Sequence, residues 1–465
     1  MQQVALILTL GFIAWLLVRD HRSTEGVSKT LWVPTLWVLI LGSRPISMWF
    51  NPGQDYVSID DISEGNALNR NVFLVLEILG VMILTKRGFS WGTLFRKNKW
   101  LMLFFIYFAV SAVWSDAPFV SFKRWIKDFG NVVMVMVVLT EENQTLAIRK
   151  LFVRTAYILM PLSVLFIKYY ADIGRYYNPM TWQYSYGGVT RDKNELGGSL
   201  IVFTVFLVWN YFAVRDGEER EDKRYPLIFA LLLLTSFWLL HEARSSTSLV
   251  CTIMGIILFL MMRNPGLRLM VARYAIFLCA GTLLLVWLEV NFKFGTVILS
   301  MLGRDATFTG RTEIWDRVLQ IKINPLIGVG FYSFWMGSRV DFVSDGFFFH
   351  LTEAHNGYLE TYVDGGLIGL ALLIVLLFTC FRRLSKKAIE GGSVDDIRLI
   401  FIVINIIYNI TEAHFGRQSV IWMAFLLVAI DYPTYNTPLY EYADEELENE
   451  STEETFEAEP SNPAF

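Results

Sequence analysis

Two stretches of this chain carry residue types able to move a proton and to hold an anionic group. Arg311 heads the segment Arg311-Thr-Glu-Ile-Trp315, and His355-Asn356 follows, with Gly366 and Gly369 at the mouth of the next apolar run. Histidine takes or gives a proton near neutral pH. Arginine presents a planar fork that grips phosphate oxygens in pairs, whereas lysine acts as a point charge. Of the five histidines His21, His241, His350, His355 and His414, His355 shares one helical face with Tyr358, Leu359 and Tyr362. That spacing predicts a residue capping the outer end of the Gly366 span. A hydrogen-bonded, inert histidine fits the same spacing, and His350 stays an open competitor for the role of base.

After Arg311 the apolar positions Ile314, Trp315, Val318 and Leu319 recur at helix spacing until Asn324-Pro325. The pattern predicts a short amphipathic helix lying at a membrane surface. Gly310 would cap it, with Glu313 three residues on, and its free N–H groups would add to Arg311 in binding phosphate. The plainer reading pairs Arg311 with Glu313 or another carboxylate. A second cationic group, Arg191-Asp192-Lys193-Asn194, precedes Glu195-Leu-Gly-Gly. Before it, Tyr176, Tyr177, Trp182, Tyr184 and Tyr186 suit either interface anchoring or stacking on sugars.

The elements that must position these residues are oily. Hydrophobic residues make up 54% of the 465 residues and charged ones only 18%, which marks an integral membrane protein. Runs long enough to cross a bilayer lie near 3–18, 31–49, 71–85, 100–114, 126–140, 154–170, 197–214, 225–241, 246–262, 272–290, 366–381, 398–413 and 419–432. They are continuous rather than alternating, so helices are expected, about 12–13 of them across the membrane. The fold class is therefore an all-α polytopic membrane protein with a large insert of short helices at about 291–365. Met1 to Val18 is read as a retained first span. Residues 1–432 form one transmembrane domain, and 433–465 form an acidic cytoplasmic tail too polar to fold. Cys251, Cys279 and Cys380 all lie in apolar runs and imply no disulfide.

Lys86-Arg87, Arg149-Lys150, Arg263/Arg268 and Arg382-Arg383 fall on alternate loops, which assigns those loops to the cytoplasm and the insert to the other side. Lys123-Arg124, Arg175, Arg191, Lys193, Arg304, Arg311 and Arg317 are then exceptions on the outer face, and an anionic ligand there would account for them. Arg44 and Arg244, at the membrane margin, are secondary candidates. No HExxH, no CxxC and no Asp/Glu/His group at ligand spacing occurs, so neither metal nor cofactor is expected. Phosphate-cradling glycine loops are absent too, and the energy for a reaction must come from an activated donor.

With these residues set out, the chain resembles the O-antigen ligase and polysaccharide polymerase superfamily of bacterial envelopes, nearest its exopolysaccharide-production branch. The resemblance rests on Gly310-Arg311-Thr-Glu-Ile-Trp315, on Asn324-Pro-Leu-Ile-Gly-Val-Gly330, and on His355-Asn356 with Gly366-Leu-Ile-Gly369. Gly188-Val-Thr-Arg191-Asp-Lys193-Asn194 and the stretch around Arg244-Ser245 are similar to further family landmarks. It implies a metal-independent, inverting glycosyltransferase of GT-C-like fold in the bacterial inner membrane, its active site facing the periplasm. The donor would be an undecaprenyl-pyrophosphate oligosaccharide and the acceptor a growing polysaccharide. Flippase and chain-length or export proteins would be partners, and no nucleic acid is expected.

By the same resemblance His355 is the base, and Arg191 and Arg311 hold the pyrophosphate with Lys193 helping. Arg175 could replace either cation of that loop, since the local pattern departs from that of ligases. Arg304, Glu313, Trp315, His350, Asn356 and Tyr358 complete the candidates. Polymerase is preferred over ligation to lipid A-core. A lipid-linked sugar transporter is a third reading, disfavoured because the charged groups cluster at one face rather than at the midplane.

Overall fold

A backbone surrounded by lipid must satisfy its own hydrogen bonds, and every apolar run of this chain does so as a helix. The computed structural model describes residues 1–22, 26–50, 66–178, 183–217, 225–292, 311–347 and 351–433. Its helices of ten residues or more are α1 (Gln2–Arg22), α2 (Trp32–Leu41), α3 (Ala67–Lys86), α4 (Lys99–Ser111), α5 (Pro118–Leu139), α6 (Gln144–Tyr169) and α7 (Lys193–Arg215). They continue as α8 (Tyr225–Ala243), α9 (Ser246–Met262), α10 (Pro265–Phe292), α11 (Arg311–Gln320), α12 (Gly357–Glu390), α13 (Ser393–Tyr408) and α14 (Val420–Ala429). Twelve of the thirteen apolar runs fall on one of these, whereas the run 31–49 breaks after Leu41, where α2 ends and a separate short helix follows at Ile46–Phe50. Six helices, α1, α3, α6, α7, α8 and α12, are individually long and apolar enough to cross a membrane. The chain is an all-α polytopic membrane protein.

Burial separates a central set of helices from a peripheral one. In α6 and α7, 83% of the most apolar stretch is buried inside the protein, against 11% in α1. Residues along α13 and α14 are buried almost throughout, from Ile397 to Ile407 and from Val420 to Ala429. By contrast α1, α3, α8 and α10 expose Ile7, Leu8, Leu74, Val75, Leu231, Leu234 and Phe277, as surfaces facing lipid would.

The connections gather at two ends. At one end Arg87 pairs with Glu141, Arg268 with Asp396 (3.0 Å) and Lys387 with Asp431 (3.2 Å). At the other, Arg44 reaches the loop before Arg191, and the insert meets the loop between α13 and α14. This partition follows the alternation of basic loops. Among the described residues the strands are β1 (Arg175–Asn178) and β2 (Gln183–Tyr186), which pair antiparallel with Tyr177 opposite Tyr184. Tyr176, Tyr177, Tyr184 and Tyr186 thus form the two strands of a hairpin, and Trp182 lies outside the described residues.

The insert folds on its own small core. Ile314, Trp315 and Val318 of α11 pack with Phe334, Trp335, Val343, Leu351, Ala354 and Val363. The helix expected after Arg311 is present, but its oily face is spent on this core rather than on a membrane surface. That corrects the surface-helix expectation: periodicity reveals an apolar face without revealing what covers it.

A latch joins the insert to the bundle. α12 breaks at Gly366, where φ is 62°, and the freed N–H groups of Leu367 and Ile368 donate to the carbonyls of Pro325 (2.8 Å) and Leu326 (3.1 Å). Val329 and Gly330 N–H return to Val363 and Asp364 carbonyls. A Cβ on Gly366 would lie 2.3 Å from the Leu326 carbonyl carbon, and one on Gly328 would lie 2.6 Å from that of Asp364. Gly366→Ala is therefore expected to cost roughly 3 kcal/mol or more, read as a fall in unfolding temperature of the purified protein. Gly281→Ala, with nothing within 4 Å of its Cβ, should leave that temperature unchanged. Equal behaviour of the two variants would refute the latch.

Candidate functional site

His355 stands just outside α12. Asn356 is the N-cap, its Oδ1 accepting from the N–H groups of Tyr358 and Leu359 at 3.0 Å each. His355 has φ 50°, a left-handed backbone in which the Cβ crowds the following carbonyl at a cost on the order of 1 kcal/mol. The expectation that it shares a helical face with Tyr358 and Tyr362 is thereby corrected, because the capping turn redirects the chain before the helix starts. Neighbouring bonds fix that turn. Trp315 Nε1 donates to Ala354 O (2.8 Å), Ala354 N–H donates to the Glu360 carboxylate, and Gly357 N–H donates to the carbonyls of Asn409 (2.8 Å) and Glu412 (2.9 Å). Glu360 is in turn held by Trp335 Nε1 (2.9 Å) and by Arg417.

Glu412, from the loop between α13 and α14, joins the two chemical residues. Arg311 Nη2 lies 2.5 Å from its Oε1, and His355 Nδ1 lies 3.5 Å from its Oε2 and 2.7 Å from Glu353 Oε1. Burial alone would lower the His355 pKa, but Glu353 and then Glu412 outweigh it and raise it to about 10. Burial would raise Glu353, yet His355 brings it down to about 2. At neutral pH His355 is thus an imidazolium between two carboxylates. Such a partner at Nδ1 orients the ring and makes it a stronger base once its proton is gone.

Arg191 reaches the same region. Its Nε donates to Glu195 Oε1 (2.9 Å), its side chain is half exposed, and it feels Glu353 across the gap. Asp192 caps α7 through the N–H groups of Asn194 (2.8 Å) and Glu195 (3.0 Å), which places Glu195 beside Arg191. Arg44 acts beneath this loop: its N–H donates to Val189 O (2.8 Å) and its guanidinium to the carbonyls of Ile173, Gly188 and Thr190. Arg44 shapes the segment presenting Arg191.

The remaining candidates divide by position. Arg175 donates to Ile167 O (2.8 Å) and lies over the Tyr186 ring, so it serves the hairpin. Lys193 begins α7, and its N–H donates to Tyr176 Oη (3.2 Å). Tyr358 Oη donates to Ile406 O (2.8 Å), and Trp315 and Asn356 likewise hold backbone. Glu313 pairs with Arg317 (2.8 Å) instead of Arg311. Arg244 lies exposed in a left-handed turn between α8 and α9. Arg304, His350, the Gly310 cap and the tail from residue 434 lie outside the described residues.

Two residues of this cluster, Glu353 and Glu412, carry no mark in the sequence. They sit in unremarkable loops, and only tertiary contact assembles them with Glu195, in the first turn of α7, and with His414. The His414 ring stacks on Tyr408 at 5.2 Å, and burial depresses its pKa against the pull of Glu353 and Glu412. Glu353, His355 and Glu412 also place one donor atom each within 4.8 Å, a group that could hold a metal ion. The absence of ligand spacing in the sequence did not reveal this trio, because Glu412 comes from a distant loop. Arg311 already supplies a cation at Glu412, which lowers the affinity of the trio for a second one.

Comparison with known proteins gives the family of the chain. A family model described as O-antigen ligase matches residues 229–374, a span holding Arg311 and His355. The chain is also 30% identical over 318 residues to the exopolysaccharide production protein ExoQ of Rhizobium meliloti, covering 65% of this chain and 68% of that one.

Proposed function

Because the chain belongs to the O-antigen ligase and polysaccharide polymerase superfamily, in its exopolysaccharide branch, we propose that it polymerises undecaprenyl-pyrophosphate-linked repeat units at the periplasmic face of the bacterial inner membrane. A polysaccharide-processing role and glycosyl transfer follow from the family itself. The observation that supports the finer reading is the Arg311–Glu412–His355 bridge with Arg191 in reach.

In the proposed step His355 first loses its Nε2 proton to solvent, and Nε2 then takes the proton of an acceptor hydroxyl while Nδ1–H stays against Glu353. The acceptor oxygen attacks the anomeric carbon of the donor, and the bond from that carbon to the diphosphate oxygen breaks with inversion. Charge develops on the leaving diphosphate, where Arg311 and Arg191 exchange their carboxylate partners for phosphate oxygens. Residues 1–432 would carry this reaction, with the growing polysaccharide as acceptor.

Carrier-lipid analysis of a deletion strain tests the reading. Accumulation of single lipid-linked repeats is the expected outcome. Long chains left on the carrier would instead establish ligation. For the purified protein, EDTA should leave the rate within about twofold, since arginine side chains supply the charge stabilisation. Strong inhibition, restored by a divalent cation, would assign Glu353, His355 and Glu412 as a metal site.

A further inference from the structure

Lys127 lies on α5 where the site end of the bundle meets the helical core. Its carbonyl accepts from Gln418 Nε2 (2.7 Å), on the same loop as Glu412. One turn earlier Arg124 donates to Tyr332 O (2.9 Å), so this part of α5 borders the insert. Lys127 feels Arg191, and also Glu77 of α3 and Arg124. Its ammonium stands 4.0 Å from the centre of the Phe73 ring, and among the described residues no oxygen forms an ion pair or hydrogen bond with it.

Four other cations of the cluster are matched to carboxylates: Arg191 to Glu195, Arg311 to Glu412, His355 to Glu353 and Arg417 to Glu360. The Lys127 ammonium has three donors and no acceptor. Glu77 is half-buried, and its Oε1 also lacks a hydrogen-bond partner. A lysine at a membrane margin ordinarily extends its ammonium towards water. Here it is folded under Phe73 instead, and an ionisable group so placed points to an anion arriving with a ligand.

We propose that Lys127 binds the lipid diphosphate of the donor from its membrane side, as a third cation beside Arg191 and Arg311. Glu77 offsets its charge while the site is empty. This assignment rests on the lipid-diphosphate donor proposed above. A prenyl carrier keeps its chain in the bilayer, so its diphosphate must lie where α5 passes from the core to the insert. Arg191 approaches that position from its loop, Arg311 from the start of α11 and Lys127 from α5.

The test uses the full-length protein in nanodiscs, with farnesyl diphosphate as the probe and inorganic diphosphate for comparison. Lys127→Met should weaken farnesyl diphosphate binding about tenfold or more. Lys127→Arg should restore most of it, and Glu77→Gln should tighten it by freeing the ammonium. Equal affinity for wild type and Lys127→Met overturns the assignment and leaves the donor reading standing. A wild-type protein that binds no farnesyl diphosphate removes the donor reading and the assignment together. Should Lys127→Met fail to insert, unchanged affinity in Glu77→Gln is the overturning result. Inorganic diphosphate bound as tightly as the prenyl form would remove the membrane-side placement.

Discussion

His355→Ala is expected to lower turnover by roughly 10²–10⁴-fold, the usual yield of a positioned general base, while the protein still inserts. Insertion is spared because His355 lies outside α12 and the turn around it is held by Trp315, Glu360 and Gly357 through backbone atoms of its neighbours. The unfolding temperature should fall, because Glu353 and Glu412 lose the imidazolium they share. The pH dependence gives a sharper check. With the His355 pKa raised to about 10, the neutral, proton-accepting ring is scarce at pH 7 and grows as pH rises. For the free enzyme kcat/KM should therefore climb from pH 6 upward, with its midpoint well above the ordinary histidine value. Glu353→Gln removes the main partner at Nδ1 and should move that limb back towards lower pH. Normal polymer from His355→Ala, or a flat profile in both proteins, would falsify the assignment of the base.

The sequence disclosed the helices because their signal is local. A run of twenty apolar residues can be recognised without knowing its neighbours, and each of the thirteen runs holds helix, the run 31–49 as two pieces. Its two chemical landmarks, Arg311 and His355, were also legible, since both belong to motifs continuous in sequence. The carboxylates were not. Glu353 and Glu412 acquire meaning only when the loop after α13 folds back under the start of α12, a contact with no periodic signature. The amphipathic pattern of α11 was read correctly as a helix and wrongly as a surface one, because Phe334, Trp335 and Val343 cover its face from later in the chain. Spacing puts His355 on a helical face with Tyr358 and Tyr362 only where the helix extends back through Asn356, and it does not. An N-cap asparagine ends the helix towards its N-terminus, so the residue before it need not follow the helical period.

Arg311→Lys should lose most activity, on the order of 10²–10³-fold, the loss typical when a group stabilising leaving-group charge is removed. The lysine keeps the charge but not the fork that can engage two oxygens at once. A purely structural arginine would predict something else. Arg311 sits 2.5 Å from Glu412, whose side chain is only 2% exposed, and stripping a cation from a buried carboxylate is costly by itself, about 3–5 kcal/mol. Inactivity of Arg311→Met could thus arise from a disturbed fold. The double variant Arg311→Met with Glu412→Gln separates the two causes, because it removes the unmatched charge along with the cation. If Arg311 serves only to neutralise Glu412, the double variant should recover both the unfolding temperature and the rate. If Arg311 takes the diphosphate, the temperature should recover while the rate stays low. Recovery of both would leave Arg311 a structural residue, and the proposed site would then rest on Arg191 alone.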